Sequence, residues 1–297
     1  MTDVQTGGSK SQATWIPFQY HGRTIVLSAK VNGKGPFDLL LDTGAFPGAI
    51  SSVVVDQLGL PTSTDSYYDV VTGRRLLRRE ARVNQIEISG IAFDDVEFVV
   101  DNGVLDGMNE FAGLKVQGIL GDNLLKNRIL EIDYQRKALR FFKESPLPSP
   151  TNGADIKDAT DLQVFQMIIS GPTPCPKIDV KIKGKGVRAL LDTGYQRAIL
   201  ITSATTRLLG LEPEASAGQK EQGYTAAGVN SISRAPFPDV VLGSMTMQIE
   251  LADFELGPRK DPLALSNFDV KLGNHFLESF SLTLDYVNKR VGLRYTL

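Results

Sequence analysis

Apolar and polar positions along this 297-residue chain fall into short runs separated by glycine and Asp/Asn turns. Residues 15–20 and 25–31 alternate or run apolar as strands do. Asn32-Gly33-Lys34-Gly35 then turns the chain into an apolar strand that ends at Asp42. Residues 51–58 form a short apolar stretch, of helical or strand character, closed by Gly59 and Pro61. Residues 67–82 have β character and break at Thr72-Gly73, which predicts a hairpin. Residues 83–88 and 96–100 read as two further strands, on either side of Ser89-Gly90. A tight turn at Gln117-Gly118-Ile119-Leu120-Gly121-Asp122-Asn123-Leu124-Leu125 enters a short amphipathic stretch, and residues 129–134 and 138–142 close the series as two strands. Long helices are scarce in this pattern, and many short strands with frequent turns predict an all-β architecture.

The same pattern runs twice. Ser145-Pro146-Leu147-Pro148-Ser149-Pro150-Thr151-Asn152-Gly153 is rich in Pro and Ser and reads as a linker. Beyond it, Ile182-Lys183-Gly184-Lys185-Gly186 stands where Val31-Asn32-Gly33-Lys34-Gly35 stood, and Leu209-Gly210-Leu211 answers Leu58-Gly59-Leu60. An offset of 152 pairs Gly121 with Gly273, Leu125 with Leu277, Asp133-Tyr134 with Asp285-Tyr286, and Lys137 with Lys289. A period of about 150 residues is too long for a solenoid and predicts two homologous lobes. The expected division is a polar tail over 1–14, a lobe over 15–144, a linker over 145–163 and a second lobe over 164–297.

Composition narrows the function classes. With 42% apolar residues the chain can bury one large core or two smaller ones. Its 32 basic and 34 acidic residues give a net charge of -2 without long blocks of either sign, which makes nucleic acid and anionic membranes poor partners. No apolar run is long enough for a membrane-spanning helix. The polar N-terminus lacks the apolar core of a secretory signal, so the expectation is cytoplasmic as written, or periplasmic or secreted had a leader been removed. A single cysteine, Cys175, excludes an intrachain disulfide and is expected in a structural or surface role. Two histidines, His21 and His275, exclude a metal site built on several, and no Gly-x-Ser-x-Gly elbow is present.

The candidate chemistry lies in the most distinctive repeat, Leu39-Leu40-Leu41-Asp42-Thr43-Gly44-Ala45 and Ala189-Leu190-Leu191-Asp192-Thr193-Gly194-Tyr195. One Asp-Thr-Gly would arise by chance in about one chain in twenty of this length; two copies, each at the end of an apolar strand, are much harder to dismiss. Two lobes related by an approximate two-fold axis would bring Asp42 and Asp192 face to face. Adjacent carboxylates cannot both ionise cheaply, so such a pair holds one proton over a wide pH range. The ionised member can then act as a base on water while the protonated member donates to a substrate carbonyl. Thr43 and Thr193 suit a brace across the axis, and Gly44 and Gly194 let backbone amides approach the carboxylates. The plainer alternative is a pair of strand-end turns that happen to use Asp.

These motifs, with Gly118-Ile119-Leu120-Gly121-Asp122-Asn123-Leu124-Leu125, resemble the retropepsin and pepsin clan of aspartic proteases. The chain is similar to two retropepsin-like halves in tandem, as in bacterial members of that clan. The resemblance implies two acid-protease β-barrel lobes with pseudo-two-fold symmetry and a cleft between them, and aspartic endopeptidase activity without metal or organic cofactor. It implies Asp42 and Asp192 as the catalytic dyad, Thr43 and Thr193 as a cross-axis hydroxyl pair, and flaps near Thr72-Gly73 and Ala227-Gly228 closing over a peptide or protein substrate. Ala45 and Tyr195 would line the cleft. Both halves in one chain imply a monomer.

Two positions depart from the clan's pattern. Tyr195 stands where a small residue like Ala45 is usual, and its ring either crowds the cleft or walls a specificity pocket. Lys271 stands where the first half has Ile119, and it either faces solvent or shifts the dyad toward ionisation. These departures carry a rival reading, a peptide-binding module without effective chemistry. The cluster Arg74, Arg75, Arg78, Arg79 and Arg82 reads as a solvated hairpin face, or as the recognition surface of a narrow processing protease for one partner protein. Asp133-Tyr134 and Asp285-Tyr286 read as strand ends entering turns, and His275 as a partner in a local hydrogen bond.

Overall fold

The computed structural model describes residues 14–69, 74–148, 161–169, 174–225, 228–257 and 267–296. Two of its three sheets each belong to one half of the chain, and the third joins them. In the first half, Lys34–Leu41 lies between Thr24–Val31 and Gly118–Leu120 in an eight-stranded sheet. In the second, Lys185–Leu191 lies between Lys177–Ile182 and Val270–Leu272 in a nine-stranded sheet. Each central strand pairs in parallel with the short strand from the Gly118–Leu120 or Val270–Leu272 position, in the registers Leu41↔Leu120 and Leu191↔Leu272. Both faces of the first central strand are covered: Leu39 and Leu41 enter the main core, and Leu40 joins Val26, Leu105 and Ile119 on the opposite face. Burial on both faces is why these strands read as continuous apolar runs rather than alternating ones.

The joining sheet contains Ile129–Asp133 paired antiparallel with Phe280–Asp285, in the register Ile129↔Asp285 through Glu131↔Thr283 to Asp133↔Ser281. Glu131 and Thr283 are themselves related by the 152-residue offset, so a local two-fold axis passes between them. The sequence repeat thus becomes a spatial symmetry at this register. Leu130, Ile132, Leu282 and Leu284 from this pair belong to one core cluster that continues into both lobes.

Several boundaries differ from the sequence reading. Residues 83–88 are not a separate strand; they continue Arg74–Ile88, which pairs with Ile91–Val100 across the Ser89-Gly90 turn. The stretch at 51–58 resolves as the helix Ser52–Leu58, whose N-cap Ser51 side chain accepts from Val54 N and whose end turns at left-handed Gly59. A longer helix, Asn102–Ala112, was not anticipated at all. Asp101 caps it by accepting from Val104 N, Gly113 ends it, and buried Leu105 anchors it to the smaller cluster with Leu40 and Ile119.

Both expected hairpins have paired stems. Thr62–Asp69 pairs with Arg74–Ile88 up to Asp69↔Arg74, and Gln219–Thr225 pairs with Gly228–Pro236 up to Thr225↔Gly228. Thr72, Gly73 and Ala227 lie outside the described residues, whereas Gly228 opens its strand. Along the first stem, Arg78 meets Glu80, Arg79 meets Asp56 at 3.4 Å and Arg82 meets Asp95 at 2.5 Å.

Candidate active site

Each Asp-Thr-Gly leaves the C-terminal end of its central strand under the grip of the neighbouring parallel strand. Asp42 N donates to Leu120 O and Asp192 N to Leu272 O, both at 2.9 Å. The threonines then lock the two loops together. The Thr43 hydroxyl donates to Leu191 O at 2.7 Å and accepts from Thr193 N at 3.0 Å. The Thr193 hydroxyl donates to Leu41 O at 2.8 Å and accepts from Thr43 N at 3.0 Å. Both threonines are buried, so each hydroxyl satisfies one backbone donor and one acceptor of the opposite loop that water does not reach.

This brace sets the carboxylates against each other. Gly44 N donates to Asp42 Oδ1 at 2.8 Å, and Gly194 N donates to Asp192 Oδ1 at 2.9 Å. A Cβ on Gly44 would lie 2.6 Å from Asp192 Cγ, and one on Gly194 would overlap the Asp42 carboxylate. Glycine is therefore required here for close approach rather than for an unusual backbone angle. Asp192 is buried, and Asp42 keeps partial exposure. Loss of hydration, then the charge and hydrogen bonding of Asp192, push Asp42 well above the ordinary carboxylate range; Lys271 and the Gly44 amide pull the other way.

Lys271 does not face solvent. Its Nζ lies 2.7 Å from Asp192 Oδ2, with the Tyr195 ring 5.6 Å and the Phe268 ring 6.0 Å away. Tyr195 does not fill the space between the carboxylates. Its hydroxyl donates to the buried Asp253 at 2.5 Å, which also accepts from Arg197 at 3.0 Å and has the Arg234 Nε 3.2 Å away as an ion-pair neighbour. Beside Tyr195 and Lys271 opens a cavity of about 110 Å³. It is also lined by Met108, Phe111 and Leu114 from the end of helix Asn102–Ala112 and the turn after it. Ala45 occupies the first-half position equivalent to Tyr195 and is half-buried.

Asn274 and Tyr134 have supporting roles that the sequence reading did not assign. Asn274 is fully buried; its Nδ2 donates to Thr193 O at 2.5 Å and to Arg23 O at 2.7 Å, while its Oδ1 accepts from Tyr134 at 2.7 Å. The Asp133-Tyr134 pair is accordingly more than a strand end, because Tyr134 reaches into the other half. Cys175, for which a surface position was one expectation, is buried, with its Sγ donating to Gly44 O at 3.3 Å and its thiol pushed up to about 12, chiefly by burial. Asp122, the first-half counterpart of Asn274, is buried and displaced upward to about 6 by loss of hydration. The 152-residue offset was the available signal for the Asp122–Asn274 pair. His275 is half-exposed, 3.8 Å from Glu278 and away from the dyad.

Among the described residues no group of three or more His, Cys, Asp or Glu side chains is placed to hold a metal ion, and no described helix is long and apolar enough to cross a membrane. The family model for aspartyl proteases matches the chain twice, over residues 27–124 and 178–274. A search of curated proteins found no match.

Proposed function

From the premise that this chain belongs to the aspartyl protease family, we propose that it is an endopeptidase in which Asp42 and Asp192, one from each lobe, activate a single water molecule. The observation that carries this reading is the approach of each carboxylate to the glycine of the opposite loop, close enough that neither glycine can carry a side chain. Two carboxylates so placed share one proton, because ionising both would put two like charges in a poorly hydrated space.

In the reaction, the ionised carboxylate takes a proton from water as the water oxygen bonds to the peptide carbonyl carbon. The carbonyl electron pair moves onto its oxygen, which takes the proton of the other carboxyl. The tetrahedral intermediate collapses when a proton passes to the amide nitrogen and the C–N bond breaks, returning the dyad to its starting charge. The threonine brace serves this chemistry by holding both carboxylates without reorganisation. Thr72, Gly73, Ala227 and Gly228 are assigned to flap tips over the substrate, and Ala45 and Tyr195 to the walls of the cleft. A monomer contains both halves of the site.

The test is cleavage of a diverse peptide library across about pH 3 to 8, a range that brackets a coupled carboxylate pair. The wild type is compared with D42N, D192N and the double variant, and cuts are mapped by mass spectrometry. Cleavage that disappears in each variant while the fold persists is the expected result. Near-normal turnover in either single variant would exclude the shared dyad. A second reading, peptide binding without turnover, is favoured by one observation, the ion pair that engages Asp192 Oδ2. Peptide affinity with no cleavage at any pH would select it.

A further inference from the structure

The two loops are alike in the glycine amide that donates to each carboxylate but differ in what stands beside them. Gly44 N serves Asp42 as Gly194 N serves Asp192, at nearly equal distances. The strand register also repeats: Ile119 sits opposite Leu40, and Lys271 sits opposite Leu190. Ile119 is buried among Val26, Leu40 and Leu105. At the equivalent place in the second half, an ammonium rather than an alkyl group reaches the dyad, 2.7 Å from Asp192 Oδ2.

We propose that Lys271 is a positioning residue that holds Asp192 as the carboxylate and places the dyad's single proton on Asp42. The assignment rests on the protease reading for its catalytic meaning. Asp192 then removes the proton from water, and Asp42 gives its proton to the carbonyl oxygen. After the water adds, Asp192 carries a proton and Asp42 a charge. Collapse of the intermediate moves the Asp192 proton to the leaving nitrogen, and an intermediate hydroxyl returns a proton to Asp42.

The surroundings favour this direction. The Lys271 side chain is only 13% exposed, and it lies near the Tyr195 and Phe268 rings, whose faces attract a cation. Other titratable groups surround the site among the described residues, including Glu221, which pairs with Arg197 and Arg234. Asp253 is engaged by Arg197, Arg234 and the Tyr195 hydroxyl. Glu255 lines the same cavity, while the helix Asn102–Ala112 and its following turn face that cavity with Met108, Phe111 and Leu114. Beneath the loops are the Cys175 thiol and the buried Lys177, and Asp122 and Tyr286 belong to the same buried surroundings.

A nearby cation stabilises every ionised form of the dyad, so it lowers both the step that creates the single negative charge and the step that creates the second. The active, singly charged form is therefore displaced to lower pH than it would be without Lys271. Replacing the ammonium with an alkyl chain should move both limbs of the activity profile upward by about 1 to 3 pH units, the usual influence of an opposite charge at this range.

The experiment titrates the full-length protein carrying 13C-carboxyl aspartate by NMR, with signals assigned from D42N and D192N. The same preparations of wild type, K271M and K271R are assayed for peptide cleavage against pH. In the wild type, Asp192 should ionise at lower pH than Asp42. In K271M the dyad should titrate at higher pH with less distinction between its members, and both limbs of kcat/KM should move up together. K271R, which keeps the cation, should remain near the wild type. Ionisation of Asp42 before Asp192 in the wild type would overturn the proposal even if K271M failed to fold. So would an unchanged titration in a folded K271M that still cleaves peptides. A wild type that titrates as expected but cuts nothing would uphold the charge placement and overturn the protease reading instead.

Discussion

Asp122 and Asn274 occupy equivalent positions in the two halves, yet only Asn274 has its polar atoms satisfied. Asn274 ties Thr193 O, Arg23 O and the Tyr134 hydroxyl together, whereas Asp122 Oδ1 is buried without a hydrogen-bond partner. A buried carboxyl in that state is easier to accommodate protonated than charged. Its folded value of about 6 lies above the reference value of 3.8, so the folded chain retains a proton that the unfolded chain loses across that window. Stability therefore falls as pH rises from about 4 to about 6 through this residue, and the penalty is fully present above it. D122N, which cannot ionise, should raise the melting temperature at pH 7 and give a smaller gain at pH 4. Thermal denaturation of both proteins at the two pH values checks this, and an equal effect at both would exclude ionisation as the cause.

The threonine brace should matter to stability as well as to geometry. T43A leaves Leu191 O and Thr193 N without their shared partner in a buried site. Each unsatisfied group costs about 1 to 3 kcal/mol. T193A should behave alike through Leu41 O and Thr43 N. Chemical denaturation should show the loss in both, with T43S, which keeps the hydroxyl, close to wild type.

Gly194 tests the close approach of the carboxylates. A methyl group there would overlap the Asp42 carboxylate. G194A should leave the lobes folded, because Gly194 does not have a positive φ, and should displace Asp42. A misplacement of about 1 Å commonly costs on the order of 100-fold in rate. Circular dichroism and single-turnover cleavage would separate this from unfolding.

Met108 tests the cavity beside Tyr195. Its side chain comes from the first half and faces Tyr195 and Lys271 of the second. M108A should shift the preferred substrate side chain toward larger apolar residues. Removing a few methylenes from a pocket changes discrimination by about 10- to 200-fold. Ratios of kcat/KM across a peptide series would read the change, and an unaltered preference would exclude this cavity as a specificity pocket.

Much of the site was legible because its chemistry is written in local, repeated strings. Each apolar strand ends in Asp-Thr-Gly, and the glycine and threonine have roles that follow from elementary hydrogen bonding. Helix Asn102–Ala112 was not legible for the opposite reason. Gly103 and Gly107 lower its intrinsic helix propensity, and what stabilises it is burial of Leu105 against a sheet formed by distant residues. The repeat marked the positions of Asn274 and Tyr134, but their roles were missed because the partners a polar side chain finds across the two halves depend on tertiary contacts that residue order does not show.

Residue order alone reveals that the chain contains two copies of one strand-and-turn design, each delivering an acidic residue. Duplication is a property of residue order and needs no contacts to be seen. The tertiary structure decided which atoms meet at the axis. The register that sets Glu131 opposite Thr283 joins the halves, and the register that sets Lys271 opposite Leu190 goes with a lysine that reaches Asp192. Side chains alternate faces along a strand, so a shift of one residue would have turned that lysine away. Such a choice is made by packing between segments far apart in the chain, where local patterns of apolar and polar residues carry no information.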